Sequence, residues 1–175
     1  MVRAGDVEET LDPVVLAMLG DVAGRRILYA GSRPGRIGLL LTTRGADVTS
    51  LSPPDAPAGD GARVIRAALG DVQFQPVYDV VLADLVLDRA EDWEPALQTA
   101  VRALKPGGQL VFSVEHPLFS VGSGWPEYAE VRQDEAGVVH RPLSTYLNAV
   151  IAAGCQLTEI AEPGYLVVSA QRIRK

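Results

Sequence analysis

Short apolar runs alternating with segments of helical period set the strongest limit on how this chain can fold. An apolar run of about four to eight residues that stops at a turn reads as a buried strand. Arg25 to Ala30, leading into Gly31, is the first such run. Before it, Leu11, Val14, Val15, Met18, Leu19 and Val22 recur at helical spacing, with Asp12 placed as N-cap, Pro13 at the first helical position and Gly24 as the stop. A helix from near Gly35 to Gly45 carries Ile37, Leu40 and Leu41 on one face, and Ala46 to Leu51 follows as a strand. Tyr78 to Ala83 and Gln109 to Val114 are two more strands, separated by a helix after Asp92 whose apolar face is Trp93, Leu97, Ala100, Val101 and Leu104. Lys105-Pro-Gly-Gly108 ends that helix, the lysine serving as a cation near its last carbonyls. A final helix, Pro142 to Gly154, precedes two strands, Gln156 to Ala161 and Tyr165 to Ile173, with Glu162-Pro-Gly164 as a hairpin turn. This order predicts one α/β domain over residues 1–175: a doubly wound, mostly parallel sheet with helices on both faces and an antiparallel C-terminal edge.

Two stretches break the pattern. Ser52 to Gly61 holds three prolines and two glycines in ten residues, which no helix interior tolerates, so it reads as a loop. Beyond it, Ala62 to Ala68 fits either a third strand or a helical turn at Arg66-Ala-Ala-Leu. Residues from about 116 to 141 have no stable period and contain Trp125, Tyr128 and both histidines, His116 and His140; this reads as a lid or insertion.

Composition narrows the partners. A net charge of −6, from 16 basic and 22 acidic residues, is wrong for a domain that must neutralise phosphates, so nucleic acid is not expected. No apolar run approaches the roughly 18 residues that cross a bilayer, and the first residues lack a basic start and an apolar stretch, so the expectation is a cytoplasmic protein with no membrane contact. A small-molecule substrate is the expected partner, with room for a homo-oligomer. The single cysteine, Cys155, is expected to be a core residue.

Four segments are similar to class I S-adenosylmethionine-dependent methyltransferases. Ile27-Leu-Tyr-Ala-Gly-Ser-Arg-Pro-Gly35 resembles the first strand and its glycine-rich turn, and Tyr78-Asp-Val-Val-Leu-Ala-Asp84 the fourth strand. Leu104-Lys-Pro-Gly-Gly-Gln-Leu-Val-Phe112 is the most specific phrase, and Arg141-Pro-Leu-Ser-Thr-Tyr-Leu through Gly154 resembles the helix after the lid in small-molecule members. The resemblance implies a Rossmann-like fold, a small-molecule substrate and S-adenosylmethionine as cofactor. It places Tyr29, Gly31, Ser32, Gly35, Ser52, Asp71 and Asp84 at the cofactor positions. A methyltransferase-fold enzyme that works without the cofactor, such as a natural-product cyclase, and a noncatalytic partner subunit are the competing readings.

The cofactor positions depart from the family pattern. Arg33 stands where the middle glycine is expected, and Tyr29 and Ser52 stand where the first two strands end in carboxylates. Weak or absent cofactor affinity is therefore expected. Glu115 and His116 follow a central strand at its carboxyl end, where ligands of open α/β sheets bind, and are the candidate catalytic pair. For His116 a strand-end cap and a general base both fit, and for Glu115 an arginine partner is the structural alternative. Trp125, Tyr128 and His140 are the candidate substrate contacts. No metal site is expected, because His116 and His140 are 24 residues apart with no further histidine or cysteine at ligand spacing.

Overall fold

A computed structural model describes residues 4–31, 36–52, 63–116, 132–134 and 137–174. Among these residues the chain runs α1 (Ala4–Leu19), β1 (Arg26–Gly31), α2 (Arg36–Thr43), β2 (Asp47–Ser52), β3 (Arg63–Arg66), β4 (Tyr78–Asp84), α3 (Trp93–Ala103), β5 (Leu104–Glu115), β6 (Arg132–Gln133), β7 (Val139–His140), α4 (Leu143–Ala152), β8 (Cys155–Ala161) and β9 (Tyr165–Arg172). Seven strands form one sheet in the order β3-β2-β1-β4-β5-β9-β8. The first five are mutually parallel; β9 runs antiparallel to β5 and β8 antiparallel to β9. The predicted sheet and its antiparallel edge are both present, with β1 inside the sheet and parallel to β4.

Strand side chains alternate between faces, and each face buries its own set. Ile27, Val80, Leu82 and Val111 pack with Leu11 and Val15 of α1 and Ile37 and Leu41 of α2. Leu28, Val81, Phe112 and Val114 pack on the other face with Leu97 and Ala100 of α3 and Tyr146 and Val150 of α4. Apolar runs buried on both faces are what a parallel sheet covered by helices requires. Among the described residues no helix is long and apolar enough to cross a membrane.

Three local readings need correction, and one left open is settled. The first helix begins at Ala4, so Asp12 and Pro13 lie within it rather than at its start. Asp12 is buried and pairs with Arg36 at 3.5 Å, so its carboxylate joins α1 to α2 instead of capping a helix. Lys105 does not meet the carbonyls of α3; its Nζ donates to Asp79 Oδ1 on β4 at 2.6 Å. Arg172 of β9 supplies the cation there, donating to the carbonyls of Arg102 and Leu104. In the stretch Ala62 to Ala68, where a strand and a helical turn were both open, Arg63–Arg66 form β3, and a short 3-10 turn, Leu69–Asp71, lies beyond it. The far end of the 116–141 stretch is ordered into a two-stranded ladder, β6 against β7, which its sequence did not announce because each strand is only two residues long.

The C-terminal hairpin turns where expected, with Gly164 at φ +90°, a conformation that costs glycine little. Cys155 is buried at the start of β8, and burial pushes its thiol up to about 11, consistent with a packing role.

Candidate functional site

The carboxyl ends of the parallel strands bring most of the candidate residues to one edge. Register pairs Gly31 with Asp84 and Ala30 with Leu51, so the ends of β2, β1 and β4 lie side by side, and Asp84 pairs in turn with Ser113 near the end of β5. This is the edge at which open α/β sheets bind ligands. Ser32, Arg33 and Gly35 of the glycine turn, and Trp125 and Tyr128 of the predicted lid, lie outside the described residues.

Tyr29 is buried on β1 and its ring fills the space above Gly31. A Cβ on Gly31 would lie 2.0 Å from the Tyr29 hydroxyl oxygen and 2.4 Å from Cζ. The same ring reaches toward Gly38 of α2, where a Cβ would meet Cδ1 at 3.4 Å. Ser52, at the end of β2, is buried and accepts a hydrogen bond from Arg66 Nη1 at 3.4 Å. Asp71 is exposed at the end of the 3-10 turn. Asp84 is fully buried and accepts a 2.7 Å hydrogen bond from the Ser113 hydroxyl, which ties β4 to β5. The next residue, Leu85, has φ +52°, an uncommon conformation for a non-glycine residue, and its N–H donates to both the carbonyl and the hydroxyl oxygen of Ser113.

Glu115 and His116 are adjacent in sequence but serve different neighbours. Glu115 pairs with Arg89 Nη2 at 3.2 Å, the arginine partner that the sequence left as an alternative. His116 is buried, its Nε2 2.7 Å from Glu162 Oε1 in the β8–β9 turn, so it fastens the end of β5 to the terminal hairpin. His140, also buried, places Nε2 3.1 Å from Asp134 Oδ2.

Several residues of this corner were not singled out in the sequence. Asp88, 1 % exposed, accepts the Glu115 N–H on Oδ2 at 2.8 Å, while its Oδ1 has no partner among the described residues. Burial pushes its carboxyl above the usual range, against the opposing effects of that hydrogen bond and the Arg89 charge. The Asp88 carbonyl accepts the Val139 N–H at 2.6 Å, joining the loop after β4 to β7. Tyr146 packs edge-on against Trp93, and Arg141 lies over the Trp93 ring at 5.0 Å. Burial raises the Tyr146 phenol to about 12, helped by the Asp88 charge and opposed by Arg141. The signal for Asp88 was an acid set among Leu85, Val86 and Leu87, but the loop has no period to say which way it faces.

Residues 28–112 match the sequence profile of the methyltransferase domain. The chain therefore resembles a methyltransferase domain over these residues and has the Rossmann-like methyltransferase fold. Its similarity to malonyl-(acyl-carrier protein) O-methyltransferase of Serratia marcescens is 31 % identity over 134 residues, covering 70 % of this chain and 50 % of the relative. The chain spans about half the length of the curated relatives it matches, or somewhat less. An S-adenosylmethionine-dependent methyltransferase from Mesorhizobium loti superposes with a TM-score of 0.72 at 25 % identity, covering 91 % of this chain and 96 % of that one. A 4+2 cyclase shares the fold at a TM-score of 0.70 and 12 % identity, covering 95 % of this chain and 82 % of that one.

S-adenosylmethionine does not fit these residues in the way the methyltransferase fold ordinarily provides. The glycine at the end of β1 serves when it leaves room for a ligand against bare backbone. Here the Tyr29 phenol takes that room, and at Ser52 a hydroxyl held by a guanidinium stands where a carboxylate would meet a ribose diol.

Proposed function

We propose that this methyltransferase-fold chain acts on a small molecule at the carboxyl edge of its sheet and holds S-adenosylmethionine far more weakly than an intact site of the family. The Tyr29 ring over Gly31 carries this reading. A hydrogen bond to a charged group contributes about 1.5–3 kcal/mol, so the carboxylates replaced by Tyr29 and Ser52 remove roughly 3–6 kcal/mol, or about 10²- to 10⁴-fold in affinity. Arg33 replaces a glycine of the family's turn by sequence, and its guanidinium would repel the cofactor's sulfonium and ammonium groups if it turned inward. Use of the edge without the cofactor is the second reading, favoured by the same phenol and compatible with the cyclase of like fold.

The edge retains groups suited to a polar ligand: Glu115 with Arg89, and the Asp88 oxygen left without a partner among the described residues. Calorimetric titration with S-adenosylmethionine and S-adenosylhomocysteine tests the proposal, alongside the triple variant Tyr29→Asp, Arg33→Gly, Ser52→Asp. Little heat from the unmodified chain and saturable binding by the variant are expected. Micromolar binding by the unmodified chain would overturn the reading.

A further inference from the structure

We propose that Glu115, Asp134 and His140 form a binding site for a divalent transition-metal ion. Each offers one ligand atom, and these atoms all lie within 4.8 Å of one another. Metal–ligand bonds of about 2.0–2.2 Å to imidazole nitrogen and carboxylate oxygen allow opposed ligands to stand at most about 4.4 Å apart, so small side-chain rotations close the set. By spacing alone, a metal would have to be held by the two histidines together. The fold instead separates their roles, giving His116 to Glu162 and His140 to two carboxylates.

The surroundings are built around the ligands. His140 is 9 % exposed; its Nε2 lies 3.1 Å from Asp134 Oδ2, while its Nδ1 has no partner among the described residues, so one nitrogen of a buried imidazole is left unsatisfied. Asp88 touches both sides of the cluster: its carboxylate takes the Glu115 N–H and its carbonyl takes the Val139 N–H, one residue before His140. Such contacts fix the backbone on which Glu115 and His140 stand. Asp134 is held by the Val138 N–H on Oδ1 at 2.9 Å, leaving Oδ2 toward His140. Arg89 is the counter-charge on Glu115 Oε1, and an ion must compete with it for that carboxylate.

One imidazole and two carboxylates suit the manganese-to-zinc series better than magnesium or calcium, which take oxygen ligands and several waters. Three protein ligands leave a position for water or a substrate oxygen. This inference goes beyond the small-molecule reading and does not depend on it, because cofactor titration can fail or succeed with metal binding intact.

Chelator-stripped full chain is titrated with Zn2+ against a chromophoric chelator, with Mg2+ as competitor. One equivalent bound at about micromolar affinity or tighter is expected, with Mg2+ ineffective. Glu115→Gln, Asp134→Asn and His140→Gln should each weaken binding by more than about tenfold while circular dichroism and melting show a folded chain. Because the chain has two histidines, a second measurement needs no variant: Zn2+ should shift the His140 ring signals in the NMR spectrum and leave those of His116 in place. No saturable Zn2+ binding, or binding unchanged by Glu115→Gln and Asp134→Asn, would overturn the proposal, as would a shift at His116 alone.

Discussion

Tyr29 and Gly31 behave as one unit, two residues apart on the same face of β1. A Cβ on Gly31 would sit 2.0 Å from the phenol oxygen, and the ring is too well buried to swing aside freely. Gly31→Ala is therefore expected to cost about 1–3 kcal/mol through overpacking. With Tyr29→Val in place the same change should cost far less. Urea denaturation of the two single variants and the double variant reads the coupling, and strictly additive losses would contradict the contact. Asp88 gives a second residue-level test. Its carboxyl is raised by burial, so the folded chain keeps a proton to higher pH than the unfolded chain does. The stability linked to that proton is complete below the ordinary carboxylate value of about 4 and is lost as pH rises through the raised folded value. Asp88→Asn keeps an acceptor for the Glu115 N–H without the charge, so it should raise the melting temperature more at pH 8 than at pH 4. An equal shift at both values would mean that the buried carboxylate bears no such penalty.

At the scale of elements, the passage from α3 directly into the first residues of β5 is held by contacts that its sequence only half announces. A helix stop was legible in Lys105-Pro-Gly-Gly108, because glycine and proline act locally, but where Lys105 would point was not. That depends on Asp79, 26 residues earlier, which the sheet brings to 2.6 Å. Gly108 is equally constrained: a Cβ there would meet the Lys105 carbonyl at 2.9 Å and the Asp79 carbonyl at 3.2 Å, both backbone, so Gly108→Ala should destabilise by at least about 1 kcal/mol in urea. Burial works to raise the Asp79 carboxyl, but the Lys105 hydrogen bond, the Arg26 N–H and the nearby Lys105 and Arg25 charges bring it below its ordinary value. Its contribution is present above pH 4 or so and is lost as pH falls through the lowered folded value, so Asp79→Asn should flatten the acid limb of the stability curve. An unchanged limb would remove Asp79 from the account. The order of strands and helices was legible because alternation and helical spacing are local patterns. The pairing of His116 with Glu162 and the grouping of His140 with Glu115 and Asp134 were not, because each is settled by what another segment brings alongside.

For the molecule as a whole, binding and stability are linked, and this gives a reading of the cofactor site that needs no assigned substrate. A ligand that binds only the folded chain stabilises it by RT ln(1 + [L]/Kd). An ordinary micromolar site in 1 mM S-adenosylmethionine would gain about 4.1 kcal/mol, which for a domain of this size raises the melting temperature by roughly 8–16 °C. Weakened about 10²- to 10⁴-fold, the same site gains at most about 1.4 kcal/mol, or roughly 3–6 °C, and at the weak end almost nothing. The gap between these cases is wide enough for a thermal melt to separate them. The net charge of −6 raises the effective local concentration of a cationic cofactor slightly, through screened attraction that falls with salt, so the comparison belongs at about 0.15 M ionic strength. The unmodified chain is expected to melt within a few degrees of its ligand-free value, and the triple variant Tyr29→Asp, Arg33→Gly, Ser52→Asp to show the larger rise even if its own baseline is lower. A rise of ten degrees or so in the unmodified chain would mean that other residues have replaced the lost carboxylates and that Tyr29 yields its place above Gly31 to the ligand.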